Sequence, residues 1–179
     1  RISKREKTIG KRIKMKKILV LLLLIYGVVA FAQIPRFTKY NVASTSVQIY
    51  LPTEPKWDQS TSEDGSEIFI YDDLFGNMNY SAIIVKLHPT VVNDKPENLL
   101  ESYMIYLEKA VFTLDQKAGF GKGHTLENQP NVKGILQMGK SKDGKEYKIM
   151  GWTDGKYIAV LVTSSLEEMN YNIQEMFLR

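Results

Sequence analysis

The chain has 179 residues, 44% of them hydrophobic and 25% charged, a balance that fits one globular domain and excludes both a disordered chain and two ordinary domains. Residues 1–32 hold nine Lys/Arg against Glu6 alone, a net of +8, whereas residues 33–179 hold 15 basic and 19 acidic residues, a net of −4, so the overall +4 describes the N-terminal segment only. The acidic remainder has no general attraction for a phosphate backbone, which argues against nucleic-acid binding, and the absence of cysteine excludes disulfides, thiol chemistry, zinc–thiolate sites and a cysteine-linked lipid anchor.

Residues 1–14, RISKREKTIGKRIK, precede Met15 and read as an upstream, non-native extension. Residues 15–32 have the three parts of a secretory signal in order: Met15-Lys16-Lys17, an apolar run from Ile18, and an A-x-A site at Ala30-Phe31-Ala32. The run from Ile18 to Ala32 is 15 residues, short of the roughly 20 that span a bilayer. The expectation is export with cleavage after Ala32 and a periplasmic or secreted location, with membrane contact only through the uncleaved signal. Residues 33–179 are then one domain, held together by its hydrophobic core.

In that domain, VASTSVQIYLP predicts a strand with Val42, Val47, Ile49 and Leu51 inward, ended by Pro52. Trp57 to Glu67 is polar and predicts a loop. EIFIYDD and YSAIIVKL predict two further strands with a turn at Gly76 to Asn79, the second strand apolar on both faces. A helix is expected next: Asp94 and Glu97 have capping-box spacing, Pro96 suits a first turn, and Leu99, Leu100, Tyr103, Leu107, Ala110 and Val111 recur at helical intervals. Gly119 is placed as that helix's C-cap. Three strands, Val132–Gly139, Glu146–Trp152 and Lys156–Thr163, follow, joined by Asp143-Gly144 and Asp154-Gly155 turns. SSLEEMNYNIQEMFLR predicts a closing helix, with Ser164/Glu167 or Ser165/Glu168 as capping box and Leu166, Met169, Ile173, Met176 and Phe177 as its apolar stripe. The pattern runs to Arg179 without a stop signal, leaving room for continuation. The expected fold class is α+β: a mostly antiparallel sheet of about six strands with helices packed on both faces, an α/β/α sandwich.

Chemistry-bearing motifs are sparse. Gly119-Phe120-Gly121-Lys122-Gly123-His124 departs from the dinucleotide G-x-G-x-x-G loop and from the Walker loop in both spacing and context, so a turn is expected there, with Gly121, Lys122 and His124 kept as a candidate binding loop. His88 and His124 are the only histidines, and nothing in the pattern brings them together around a metal. Asp72-Asp73 and Glu63-Asp64 read as solvated surface. Ser164 and Ser165 are read as caps, and no G-x-S-x-G elbow occurs. Trp57 in the polar loop and Trp152 beside the Asp154-Gly155 turn are the aromatic binding candidates. No catalytic residue, metal or cofactor is expected.

Five stretches carry a resemblance: VQIYLP followed shortly by a tryptophan, YSAIIVKL, NLLESYMIYLEKA, the meander KGILQMGKSKDGKEYKIMGWTDGKYIAVLVTS, and the final helix. In element order and hydrophobic texture they resemble the PsbP-like α/β/α sandwich superfamily. The resemblance implies a non-catalytic, exported accessory or binding protein of a bacterial cell envelope, working with a protein partner. The alternative is a carrier of a small apolar or lipid-like ligand held between sheet and helices.

Overall fold

The computed structural model describes residues 36–91, 95–169 and 171–179, and Arg36–Arg179 form one compact unit. The upstream extension, the signal segment and Asp94 lie outside the described residues.

A two-stranded antiparallel ribbon comes first, β1 (Thr38–Asn41) with β2 (Gln48–Leu51). A seven-stranded sheet follows, built from β3 (Asp58–Thr61), β4 (Glu67–Phe75), β5 (Met78–Lys86), β6 (Leu114–Leu126), β7 (Gln129–Ser141), β8 (Glu146–Thr153) and β9 (Tyr157–Ser165). Its spatial order is β3-β4-β5-β9-β8-β7-β6, antiparallel throughout. Helix α1 (Pro96–Leu107), extended by a π-helical turn over Glu108–Phe112, carries the chain from central β5 to edge strand β6. Helix α2 (Tyr171–Phe177) comes after β9.

This corrects the expected sandwich. The domain is mostly β, and helices do not form a layer on each face. One face is covered by α1, whose Leu100, Met104 and Leu107 pack on Ile83, Val85, Ile135, Ile149, Ile158 and Val160. The other is closed largely by the ribbon, through Val42, Ile49 and Leu51, with α2 contributing Phe177. β5, apolar on both faces, is covered on both sides; on one side the cover is chiefly a ribbon.

Several local expectations also change. The first strand is a hairpin, because the chain turns at Val42, which donates to and accepts from its neighbours across the turn. Part of the polar loop after Trp57 is edge strand β3, all four of whose residues are exposed and so show no alternation. Gly119 is not a helix cap but lies inside β6, and α1 ends in the π turn, where Thr113 N–H bonds Glu108 O at 2.8 Å and Thr113 takes a left-handed φ of 44°. The π turn adds a residue to the helical repeat, and Val111 is left 56% exposed. The closing helix starts only at Tyr171. Ser164 and Ser165 are buried in β9, and Ser165 Oγ donates to Asn77 O and accepts from Glu167 N–H. Pro96 does open α1, but Lys95 is its N-cap and makes no side-chain capping bond. The Asp-Gly turns form with only the glycine left-handed, Gly144 at φ 84° and Gly155 at φ 87°. They are therefore longer than the two-residue turn that needs two such residues.

Tyr80 is the largest fully buried side chain and meets Phe37 and Phe177 edge-on at 5.7 and 5.3 Å. Burial pushes its phenol up to about 12 from an ordinary 10.0. A raised folded-state value means this stabilisation is whole below pH 10 and is lost as pH rises towards 12. Tyr80→Phe is expected to flatten the fall in denaturation midpoint over that window while costing about 1 kcal/mol or less at neutral pH. An unchanged alkaline limb in urea titrations counts against this account.

Candidate functional site

On the ribbon-covered face, alternation along β8 sets Lys148, Met150 and Trp152 side by side. Beside them, β7 contributes Leu136 and Val132. Two openings flank Trp152. One, of about 280 Å³, lies towards the ribbon and is lined by residues including Lys39, Gln48, Val132, Trp152 and Tyr157. The other, of about 470 Å³, lies between the β6–β7 hairpin end and α2; His124, Leu136, Lys148, Met150, Tyr171 and Glu175 are among its walls. Leu126, Trp152 and Arg179 line both and form the partition between them.

Trp152 is only 9% exposed, and its indole N–H donates to Leu178 O at 2.9 Å. It serves as a core wall and not as an exposed anchor. Lys148 is also buried: its side chain is 10% exposed, its ammonium lies 2.6 Å from Glu175 Oε1, and it sits 4.7 Å above the Tyr171 ring. The cation is thus held between a carboxylate and an aromatic face, both supplied by α2.

Of the candidates read from the sequence, His124 and Trp152 come together in the larger opening. Gly121 borders it indirectly, since a side chain there would start 3.1 Å from His124 Nε2. Lys122 turns elsewhere: it pairs with Glu101 of α1 and lies 5.9 Å from the centre of the Phe120 ring. Gly123 N–H bonds Glu97 Oε1 at 3.2 Å, so the glycine-rich stretch is an edge strand tied to the helix and not a phosphate loop. Its four register irregularities against β7 explain why no strand period is visible there. Trp57 packs against Tyr71, ring centres 6.0 Å apart, and belongs to the core margin.

Lys148, Tyr171 and Glu175 were not among those candidates. Their one sequence signal is a lysine in the inward series that continues through Met150 and Trp152. The partner on α2 is invisible without the fold.

Elsewhere, His88 Nδ1 lies 2.7 Å from Thr90 Oγ1, near Ser66 and Gly65. Asp72 accepts from Ser81, and Asp73 accepts from Thr53 at 2.5 Å. Among the described residues no three His, Asp or Glu side chains gather as metal ligands. A separate polar cluster lies on the α1 face, where Glu108 Oε2 receives Gln137 Nε2 at 2.6 Å and Lys117 Nζ at 2.9 Å. Burial pushes this carboxyl up, but the bonds from Lys117 and Gln137, together with the nearby lysine charges, outweigh burial and hold it below its ordinary value. A depressed folded-state value gives stability that is present above the unfolded pKa and lost as pH falls through the folded one. Glu108→Gln should therefore flatten the acid limb of the stability profile; an acid limb identical to the parent's in urea titrations would contradict this.

No protein-family model matches the chain, and no curated protein matches it.

Proposed function

We propose that this is a binding protein of the cell envelope that holds a small amphipathic molecule in the cleft between the β6–β7 hairpin end and α2. The observation that carries the reading is the open volume of about 470 Å³ over Leu136, Met150 and Trp152, with Lys148 and Glu175 at its polar wall. That size lies in the range of small-molecule sites, and the lining is amphipathic: Leu126, Leu136, Met150, Trp152 and Leu178 face His124, Glu127, Lys148, Glu175 and Arg179. Trp152 is buried in the core and Trp57 is partly buried against it, which weakens a partner-docking role for exposed aromatics at those positions. The secretory pattern of residues 15–32 supports the envelope location.

A second reading, an accessory protein for a protein partner, draws support from α1 and its π turn. There Ile105, Tyr106 and Val111 are 43%, 62% and 56% exposed, the kind of apolar patch that marks interaction surfaces.

Native mass spectrometry of protein purified gently from its own envelope separates the two. The expected result is a chain beginning at Gln33 with a bound small mass that disappears in Met150→Arg. A discrete heavier complex, disrupted by Tyr106→Asp and intact in Met150→Arg, overturns the small-ligand reading in favour of the accessory one.

A further inference from the structure

Lys148 is the anomaly of the cleft. An ammonium taken from water is costly, and the neighbouring inward positions on the same strand are Met150 and Trp152. An apolar side chain at 148 would complete that row, and replacing a buried ion pair with apolar groups is often neutral or stabilising. The charge is therefore not needed for packing. Its counter-ion is also the less buried partner: the Glu175 side chain is 35% exposed against 10% for Lys148. Glu175 can turn to water, whereas the ammonium cannot leave the cleft wall and needs another anion when Glu175 departs. The Tyr171 ring face is already taken by Lys148, so it offers no cage for a cationic ligand. Lys148 and Arg179 line the cleft against Glu127 and Glu175, so turning Glu175 out to water leaves one positive charge in excess, which matches a monoanion.

We propose that the cleft takes a medium-chain alkyl carboxylate, its carboxylate replacing Glu175 at the Lys148 ammonium and its chain lying on Leu136, Met150 and Trp152. This rests on the reading of the cleft as the binding site. No bond is made or broken; Glu175 exchanges one ion pair for solvation.

The test uses the full chain carrying Trp57→Phe, so that indole emission reports Trp152 alone. Decanoate and decanol, which share a tail and differ in head group, are titrated below their aggregation limits. The expected result is saturable decanoate binding that Lys148→Met weakens on the order of tenfold or more, the scale of one charged hydrogen bond, with decanol binding unchanged. Glu175→Gln, which removes the competing carboxylate, should tighten decanoate binding. Unchanged decanol binding also shows that Lys148→Met remains folded. If Lys148→Met weakens both probes alike or neither, or if Glu175→Gln weakens decanoate, the carboxylate assignment fails and the cleft reading survives. If neither probe saturates the Trp152 signal in the parent or in Glu175→Gln, both readings fail.

Discussion

Trp152→Ala is expected to lower the stability of the domain by about 3–5 kcal/mol, the scale of deleting a large aromatic side chain from a core. The indole is 9% exposed, joins the cluster of Tyr80, Ile84, Met150 and Leu161, and bonds Leu178 O through its N–H. Its removal creates a void and orphans that acceptor at the same time. It also removes the partition between the two openings, which share Trp152, Leu126 and Arg179. Urea denaturation followed by far-ultraviolet circular dichroism measures the first effect. A loss below about 1 kcal/mol, typical of surface substitutions, would show that Trp152 does not hold the β7–β8 part of this face.

Gly134→Ala should destabilise the fold by about 1–3 kcal/mol, the usual cost of forcing a methyl into a packed core. Gly134 lies directly across from Trp152 in the β7–β8 register. A Cβ at 134 would sit 2.4 and 2.6 Å from the Trp152 ring carbons. The ring is rigid and hemmed in by the core, so it cannot yield as a flexible side-chain end would. The same substitution in a Trp152→Ala background should cost less, because the two ring carbons it strikes are gone and only the flexible Met150 Cε, at 2.9 Å, remains close. A double-mutant cycle with coupling of about 1 kcal/mol or more is the expected outcome; simple additivity would mean that the penalty arises in the β7 backbone. Gly151 is a comparable close approach on the opposite face, where a Cβ would meet Met104 Sδ at 2.5 Å and Leu100 Cδ1 at 2.8 Å. There the neighbours are flexible ends, so Gly151→Ala should be the milder of the two in the same denaturation assay.

The strands with the most regular patterns were legible. β5, β8 and β9 and their turns fall where apolar runs and the flanking turn residues placed them, because short apolar runs and turn chemistry are local properties. Helix α1 was legible for the same reason, up to Leu107. The irregular edge was not. β3 has four exposed residues and β6 carries several register irregularities, so neither presents a clean apolar face. Glycines 119, 121 and 123 then read as a turn, whereas pairing with β7 and contacts with Glu97 and Glu101 hold them extended. The site was half legible. Trp152, beside a turn, and His124, in the glycine-rich stretch, stand out in the sequence, but no motif surrounds Lys148, and its partner lies 27 residues further along the chain.

Residue types alone establish that the acidic domain lacks cysteine chemistry and disulfide support and relies on a hydrophobic core, and the apolar run YSAIIVKL requires cover on both faces. These follow from residue type and short-range period alone. That a β-ribbon and not a helix layer supplies most of one cover, and that β6 completes a seven-stranded sheet, is set by the folded chain. The same holds for the meeting of Lys148, Glu175 and Tyr171 at the edge of a cleft floored by Met150 and Trp152. Those outcomes depend on pairings between segments distant in sequence, which local pattern does not encode.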